Sequence, residues 1–324
     1  MENNYIDIIN KTKNVSKDKI VKNMDYIIDA YIDAINLNKE LINRTISIDI
    51  SENNGMPIDY KTVSNIFRKV KQESIRYGKI LTQEKDTKNG LVYAKTIYDK
   101  GLVVAITDGN PYLTIELILR NLIAGNSFLL VNNGYMQGTN TFLIEIFKTI
   151  LEKYDISKNL INTTLTENYE EVLKYYSSIN LVLAIGDSSL QQKVLSLTKN
   201  QIITSSYLHY NIYVEDIKHL DFINKILNTY YDITLYVKND VNYNFKNAIS
   251  VLDVAEAIVL INASSNLYSA SIFTSDDTNA RTFIKDIHTK KVMVNASPLL
   301  ESFLDIKEED LVDIKEIYSA YSNN

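Results

Sequence analysis

Short apolar runs alternate with amphipathic segments from Gly101 to about Val214, and this alternation constrains the fold more than any other feature. The apolar runs have the length of strands, and the segments between them repeat apolar residues at helical spacing. This order is typical of a parallel sheet covered by helices on both faces. We therefore predict an α/β protein built on a doubly wound parallel sheet. The strand-like runs are Leu102–Thr107, Ser127–Val131, Ile161–Leu165, Leu181–Ile185, Gln201–Thr204 and Asn211–Val214.

The sequence before this alternation predicts helices followed by a hairpin. Apolar residues recur at helical spacing within residues 20–35 and again within residues 63–75. Strand-like residues from Ile80 to Tyr98 lie on both sides of Asn89-Gly90. An Asn-Gly pair tolerates the positive φ of a type I′ turn and is typical of a tight hairpin. We predict an N-terminal helical arm and a projecting hairpin.

A second, shorter α/β passage follows Asn228 and predicts a reduced second lobe. The predicted organisation is a helical arm with an oligomerisation-type hairpin at 1–100, a Rossmann-like nucleotide-binding-type domain at 101–228, and the reduced lobe with a C-terminal tail at 229–324. Within that tail, the acidic stretch Glu301–Asn324 is expected to be helical before a frayed end.

Composition excludes several classes of partner. The 324 residues carry a net charge of -6, and basic and acidic residues are interspersed, so we expect no nucleic-acid partner. No apolar run approaches the roughly 20 residues of a membrane span, and Met1–Tyr5 does not begin a signal-peptide pattern. A cytoplasmic protein with no membrane partner is expected. With no cysteine and three separated histidines, a metal site is not expected.

A series of short motifs runs in order through most of the chain from about Lys88 to Pro298. They are Lys88–Lys95, Gly101–Ile106, Pro111–Glu116, Ala124–Asn126, Ile179–Gly186, Asn211–Asp216, Ser269–Thr274, Ala280–Phe283 and Val292–Ser297. Their order and near-gapless spacing resemble gamma-glutamyl phosphate reductase, also called glutamate-5-semialdehyde dehydrogenase, of the aldehyde dehydrogenase superfamily. The resemblance implies an aldehyde-dehydrogenase-like fold and oligomerisation through the hairpin.

The resemblance also implies a thiol mechanism that this chain lacks. Enzymes of the superfamily act through a cysteine thiolate, which holds the substrate as a thioester during hydride transfer, and no cysteine is present. In the family, a loop bearing that cysteine precedes a strand that resembles Asp232–Val237. Only Thr229–Tyr231 separates Asn228 from this strand, so the nucleophile loop is predicted to be deleted. Thr229 is the nearest aliphatic hydroxyl, and a loop or capping role is its alternative.

The family's oxyanion-binding asparagine is also replaced. The resemblance places Tyr112 at that position, and Asn110 lies two residues earlier. A phenol can donate one hydrogen bond to an oxyanion, whereas packing in the core is the alternative for a buried tyrosine. We therefore assign no catalytic residue, and Asn110, Tyr112 and Thr229 remain the candidates.

The cofactor-binding positions that the resemblance implies are altered as well. Gly186 and Ser188 open a helix after an apolar strand, where backbone N–H groups can meet a pyrophosphate. Asp187 places a negative charge there, and helix capping is the alternative. The family's basic residue at the cofactor ribose or phosphate matches Val131 or Asn132, so a charge-assisted contact is lost. We expect no cofactor, or NADP or NAD bound weakly.

Asn295 and Ser297 lie at a strand end where the family lines its substrate pocket. Ser297 could hydrogen-bond a carboxylate or cap the next helix. The sequence predicts a protein without thiol chemistry that acts as a binding or assembly subunit and forms a homo-oligomer through hairpin 80–98. A small-molecule ligand is a further possible partner. One alternative is an NAD(P)H-dependent oxidoreductase of an aldehyde or acyl phosphate. The other is a regulatory sensor of a proline-pathway metabolite.

Overall fold

Four helices open the described part of the chain. The computed structural model describes residues 5–13, 15–17, 19–49, 58–86, 88–107, 110–132, 136–165, 169–186, 188–205, 210–227, 233–241, 243, 245, 248–264, 269–297 and 306–320. The helices are α1 (Tyr5–Lys13), α2 (Ile20–Leu37), α3 (Lys39–Asp49) and α4 (Tyr60–Gln72). The periodic apolar residues of α2 are buried, as predicted. The short α1 and α3 were missed because each buries only two side chains.

The predicted hairpin is confirmed. Strands β1 (Ile80–Asp86) and β2 (Leu91–Asp99) pair in antiparallel register. Gly90 has a φ of 65° at the turn, a left-handed conformation that glycine adopts without steric cost. The local turn chemistry was therefore sufficient to predict this element.

The chain divides into two units. Unit 1 contains Met1–Gly55, Val63–Ser206 and Asp305–Asn324, and unit 2 contains Met56–Thr62 and Tyr207–Leu304. The chain passes from unit 1 to unit 2 after Ser206, some twenty residues before the boundary expected at residue 228.

The main sheet of unit 1 has five parallel strands. Its elements are β3 (Leu102–Thr107), α5 (Pro111–Ile123), β4 (Ser127–Asn132), α6 (Gln137–Lys153), β5 (Ile161–Leu165), α7 (Tyr169–Leu173), β6 (Leu181–Ile185), α8 (Ser188–Leu197) and β7 (Gln201–Ser205). The strand order is β5-β4-β3-β6-β7, and every neighbouring pair is parallel. The predicted doubly wound sheet is confirmed.

The two faces of this sheet bury different residues. On one face, strand residues pack with side chains of α1, α7 and α8 in one apolar cluster that includes Ile106 and Val131. Successive side chains of a strand point to opposite faces, so Thr107 and Asn132 point to the other face. Right-handed crossovers place α5 and α6 on that second face.

Unit 2 contains a second five-stranded parallel sheet. Its elements are β8 (Tyr210–Val214), α9 (Leu220–Leu227), β9 (Ile233–Lys238), β10 (Ile249–Val251), α10 (Val254–Asn262), β11 (Ser269–Phe273), α11 (Asp277–Asp286) and β12 (Lys291–Val294). The strand order is β10-β9-β8-β11-β12. The run Asn211–Val214 was assigned to the first sheet from sequence, but β8 pairs with β9 and β11. Strand-forming residues alone do not determine which sheet a strand joins.

The C-terminal prediction of a helix is wrong. The last strand, β13 (Val312–Ala320), pairs with β2 in antiparallel register and completes a three-stranded sheet in unit 1, in the order β1-β2-β13. Pairing with β2 satisfies the backbone groups that this acidic segment turns toward β2 along nine residues, so tertiary pairing overrides the local preference.

A buried charged cluster holds the segment that leads into β13. Arg120 contacts Glu73 (Nη2 to Oε1, 3.2 Å) and Glu116 (Nε to Oε1, 2.9 Å), and its Nη1 donates to the Ile306 carbonyl at 2.8 Å. Glu308 accepts hydrogen bonds from two backbone N–H groups just after α4. Burial raises the pKa of Glu73 to about 7, because desolvation outweighs the opposing effect of Arg120. The cluster therefore connects α5 to the segment just after α4 and to the segment that leads into β13.

Candidate functional site

Two fully buried polar residues are the last residues of adjacent strands in the unit 1 sheet. Thr107 closes β3, Asn132 closes β4, and the two residues are partners in the strand register. Neither the Thr107 hydroxyl nor either amide atom of Asn132 has a hydrogen-bond partner among the residues that the structure describes. An unsatisfied buried polar group costs about 1–3 kcal/mol, so this pair is a candidate ligand contact.

The position of the pair is where an open α/β sheet binds ligands. Ligands of such sheets lie outside the carboxyl ends of the strands, and both residues are the last of their strands. They point to the face that carries α5 and α6. Asn132 lies at this edge, and its role in cofactor binding stays a prediction, whereas Thr107 was missed. A polar residue at the end of an apolar run was the available signal.

The structure gives Asn110 and Tyr112 structural roles. The Asn110 side-chain oxygen accepts from the backbone N–H groups of Tyr112 at 2.9 Å and Leu113 at 3.4 Å. It thus caps α5, with Pro111 in the first turn. Tyr112 is 5% exposed, which agrees with the packing alternative.

Asp49, the last residue of α3, caps α6 from a distant part of the sequence. Its carboxylate accepts from Gly138 N at 3.2 Å, from Thr139 N at 2.7 Å and from the Thr139 hydroxyl at 2.7 Å. Met136, at the N-cap position, provides no side-chain hydrogen bond. The first free N–H groups of a helix attract anions, and here a side chain of the same chain supplies that anion.

Gly186 follows β6 at the same edge and is covered by a side chain. Its N–H donates to the Ser205 carbonyl at 3.0 Å, and its own carbonyl accepts from Gln191 at 2.9 Å. A Cβ added to Gly186 would lie 2.5 Å from a methyl carbon of Leu190. Ser188 begins α8, but its side chain, like Asp187, lies outside the described residues.

In unit 2, Asn295 ties two strand ends together. Its side chain accepts from Thr274 N at 3.0 Å and donates to the Thr274 carbonyl at 2.9 Å. Both amide atoms are thus engaged with the backbone. Ser297 is half-buried two residues later. The assignment of both residues to a substrate pocket stays a prediction.

A group of polar side chains around one carboxylate at the same edge of unit 2 was missed from sequence. Glu215, just after β8, accepts hydrogen bonds from the Thr274 hydroxyl at 2.5 Å and from the Asn279 side chain at 2.8 Å. Lys238 Nζ lies 3.7 Å from Glu215 Oε1. Neutral donors and one cation therefore compensate this charge, which is the arrangement of a structural cluster. No sequence motif links these residues, because four different elements supply them.

Thr229 lies outside the described residues. Among the residues that are described, no group of three or more His, Asp or Glu side chains is arranged to hold a metal ion. Within that same part of the chain, no helix combines the length and apolar character needed to span a bilayer.

Sequence comparison finds curated relatives, although no family model matches the chain. The gamma-glutamyl phosphate reductase of Dictyoglomus turgidum is 21% identical over 153 residues, which cover 46% of this chain and 37% of the relative. That of Francisella philomiragia is 21% identical over 264 residues, 64% of each protein. The chain thus matches less than two thirds of the length of these relatives.

Solved structures share the fold over nearly the whole chain. The gamma-glutamyl phosphate reductase of Thermotoga maritima has a TM-score of 0.60 at 16% identity and covers 99% of both chains. A probable aldehyde dehydrogenase from Listeria monocytogenes has a TM-score of 0.69 at 13% identity, covering 98% of this chain and 97% of the other. The predicted fold class is confirmed.

Proposed function

We propose that this chain, a relative of the gamma-glutamyl phosphate reductases with the aldehyde-dehydrogenase fold, is a non-catalytic binding or assembly subunit. A thiol mechanism needs a cysteine, and the sequence contains none. The observation that carries the assembly role is the exposure of the β1-β2-β13 sheet. We expect a second copy of the chain to cover it.

Both outer strands of this sheet face solvent. Every residue of β1 is exposed, and β13 is exposed after its first residue. A three-stranded sheet needs a hydrophobic face or a packing partner to be stable, and unpaired strand edges are templates for another chain. The exposed apolar side chains on the two strands are Ile80, Leu81, Ile314, Ile317 and Tyr318. These residues give a second copy both an edge and an apolar contact.

Replacing Gly90 with proline should shift the wild-type oligomer to a smaller species. Proline fixes φ near −65°, whereas Gly90 has a φ of 65°, so the turn between β1 and β2 is lost. Light scattering on wild type and variant measures the change. Lys88→Ala, in the same turn but with its backbone unaltered, should keep the wild-type size. A monomeric wild-type protein would rule out the assembly proposal.

A second candidate function is sensing of a proline-pathway metabolite. It is supported by the side chains of Thr107 and Asn132, which have no hydrogen-bond partner among the described residues. A ligand that hydrogen-bonds to them would bind the folded state and raise Tm. Glutamate or proline should then raise the Tm of the wild type without turnover, and Thr107→Val should abolish the shift. Thr149→Val, at an exposed helical position, is the matched control. Equal shifts in both variants would contradict this function.

A further inference from the structure

We propose that Asp49 is the built-in anion of an anion-binding position at the N-terminus of α6, and that it closes this helix end to a phosphate group of a nicotinamide dinucleotide. The fold family implies such a cofactor, and the side chains at this helix end do not fit it. This inference is independent of the assembly proposal, because the residues involved lie outside the β1-β2-β13 sheet.

The geometry of the α6 N-terminus is that of an oxyanion site. Two successive backbone N–H groups and one hydroxyl converge on a single carboxylate, that of Asp49. Phosphates bind helix N-termini through the same donors. Because Asp49 already accepts all three hydrogen bonds, a ligand phosphate would have to displace it.

Gly138 fits this internal anion closely. A Cβ added to Gly138 would lie 2.7 Å from Asp49 Oδ1, so any larger residue would push the carboxylate away. In nucleotide-binding loops, glycine serves to let a phosphate approach the backbone. In this chain the oxygen that approaches Gly138 is Oδ1 of Asp49.

The strand that leads into α6 offers no compensating cation. Val131 packs in the apolar cluster on the opposite face. Asn132 is neutral and fully buried, and its amide has no hydrogen-bond partner in the described part of the chain. Its backbone carbonyl lies 3.5 Å from Gln137 Nε2, which places Asn132 beside the first turn of α6. A phosphate here would therefore meet the negative charge of Asp49, and neither Val131 nor Asn132 supplies a positive one.

The backbone donors at the start of α5 and at Gly186 are occupied too. Asn110 caps the first turn of α5. The N–H of Gly186 is bonded to β7, and Leu190 covers the space above this glycine. A pyrophosphate thus finds no open helix N-terminus at α5 or α6, and no free N–H at Gly186.

Neutralising Asp49 should create anion binding that the wild type lacks. We expect no response of the wild type to millimolar inorganic phosphate or NADPH in calorimetry and thermal unfolding. Asp49→Ala should show a saturable phosphate-dependent rise in Tm of about 2 °C or more, as for a ligand at about ten times its Kd. Asp49→Asn should show a smaller rise, because its amide oxygen still accepts a hydrogen bond from the helix. Asp33→Asn removes the same charge from an exposed position of α2 and should behave as wild type.

Two results would overturn the proposal. The first is NADPH or phosphate binding to the wild type as tight as to the Asp49 variants, and NADPH binding would favour the oxidoreductase alternative. The second is a folded Asp49 variant that gains no affinity for phosphate. If Asp49→Ala does not fold, Asp49→Asn decides the matter, because it removes the charge and keeps only one of the two acceptor oxygens. The wild-type NADPH titration is informative with no variant at all.

Discussion

Replacing Arg120 with alanine should lower the free energy of unfolding by about 3–5 kcal/mol, the range for breaking a buried ion pair on one side. Arg120 contacts the carboxylates of Glu73 and Glu116, and the three side chains are at most 10% exposed. The variant keeps both acids but removes the cation that they share. Urea unfolding at about pH 8, above the pKa of about 7 that Glu73 has beside Arg120, measures the loss.

The free energy of unfolding that Arg120→Ala loses should be smaller at low pH than at high pH. Burial raises the pKa of Glu73 above its ordinary value, so folded Glu73 binds its proton more tightly than the unfolded chain does. Protonated Glu73 needs no cation, and the loss in Arg120→Ala should therefore be smaller at about pH 5 than at about pH 8. Adding Glu73→Gln should recover part of the stability at about pH 8.

Arg68→Ala is the matched control for the cluster. Arg68 is exposed on α4 and reaches only the side chain of Asn65 among the described contacts, at 3.4 Å. Its removal should change the free energy of unfolding by no more than about 0.5 kcal/mol. Equal effects of Arg68→Ala and Arg120→Ala would contradict the role assigned to the buried cluster.

Replacing Gly125 with alanine should also be strongly destabilising, by about 3 kcal/mol. Gly125 joins α5 to β4 with a φ of 73°, and a left-handed conformation costs other residues about 1–2 kcal/mol. An added Cβ would lie 2.4 Å from the Tyr77 ring carbon Cγ and 2.8 Å from Tyr77 Cβ. The resulting overpacking adds about 1–3 kcal/mol. Thermal or urea unfolding measures the sum.

Gly78→Ala separates the two contributions to this effect. Gly78 has a φ of 78°, close to that of Gly125, but its added Cβ would lie 3.3 Å from a methyl carbon of Val21. The backbone cost is thus shared, and the steric conflict is smaller. We expect Gly78→Ala to lose about half as much stability as Gly125→Ala. Equal losses would show that the contact with Tyr77 adds nothing.

Local patterns were sufficient for most individual elements. The helix with Ile20 and Ile35 on its buried face follows from apolar periodicity. The hairpin follows from Asn89-Gly90, whose turn chemistry acts over four residues. Each of these features depends on residues close together in the chain.

The candidate site was only partly predictable, because its residues are far apart in the sequence. Asn132 and Gly186 were placed at the sheet edge by resemblance, but the capping role of Asn110 and the cover of Leu190 over Gly186 appear only in three dimensions. Thr107 matters because Asn132 lies beside it on the next strand. Neighbours across a sheet are not neighbours in sequence, so no local motif identifies them.

The sequence by itself determined the α/β class, the doubly wound sheet of unit 1 and the absence of a thiol nucleophile, because hydrophobic period, turn residues and residue type are local properties. Only the tertiary structure decided that β8 joins the second sheet, that β13 pairs with β2 more than two hundred residues away, and that Asp49 caps α6. Such pairings depend on which segments bury each other's polar groups, and that choice is made by the packing of the whole unit.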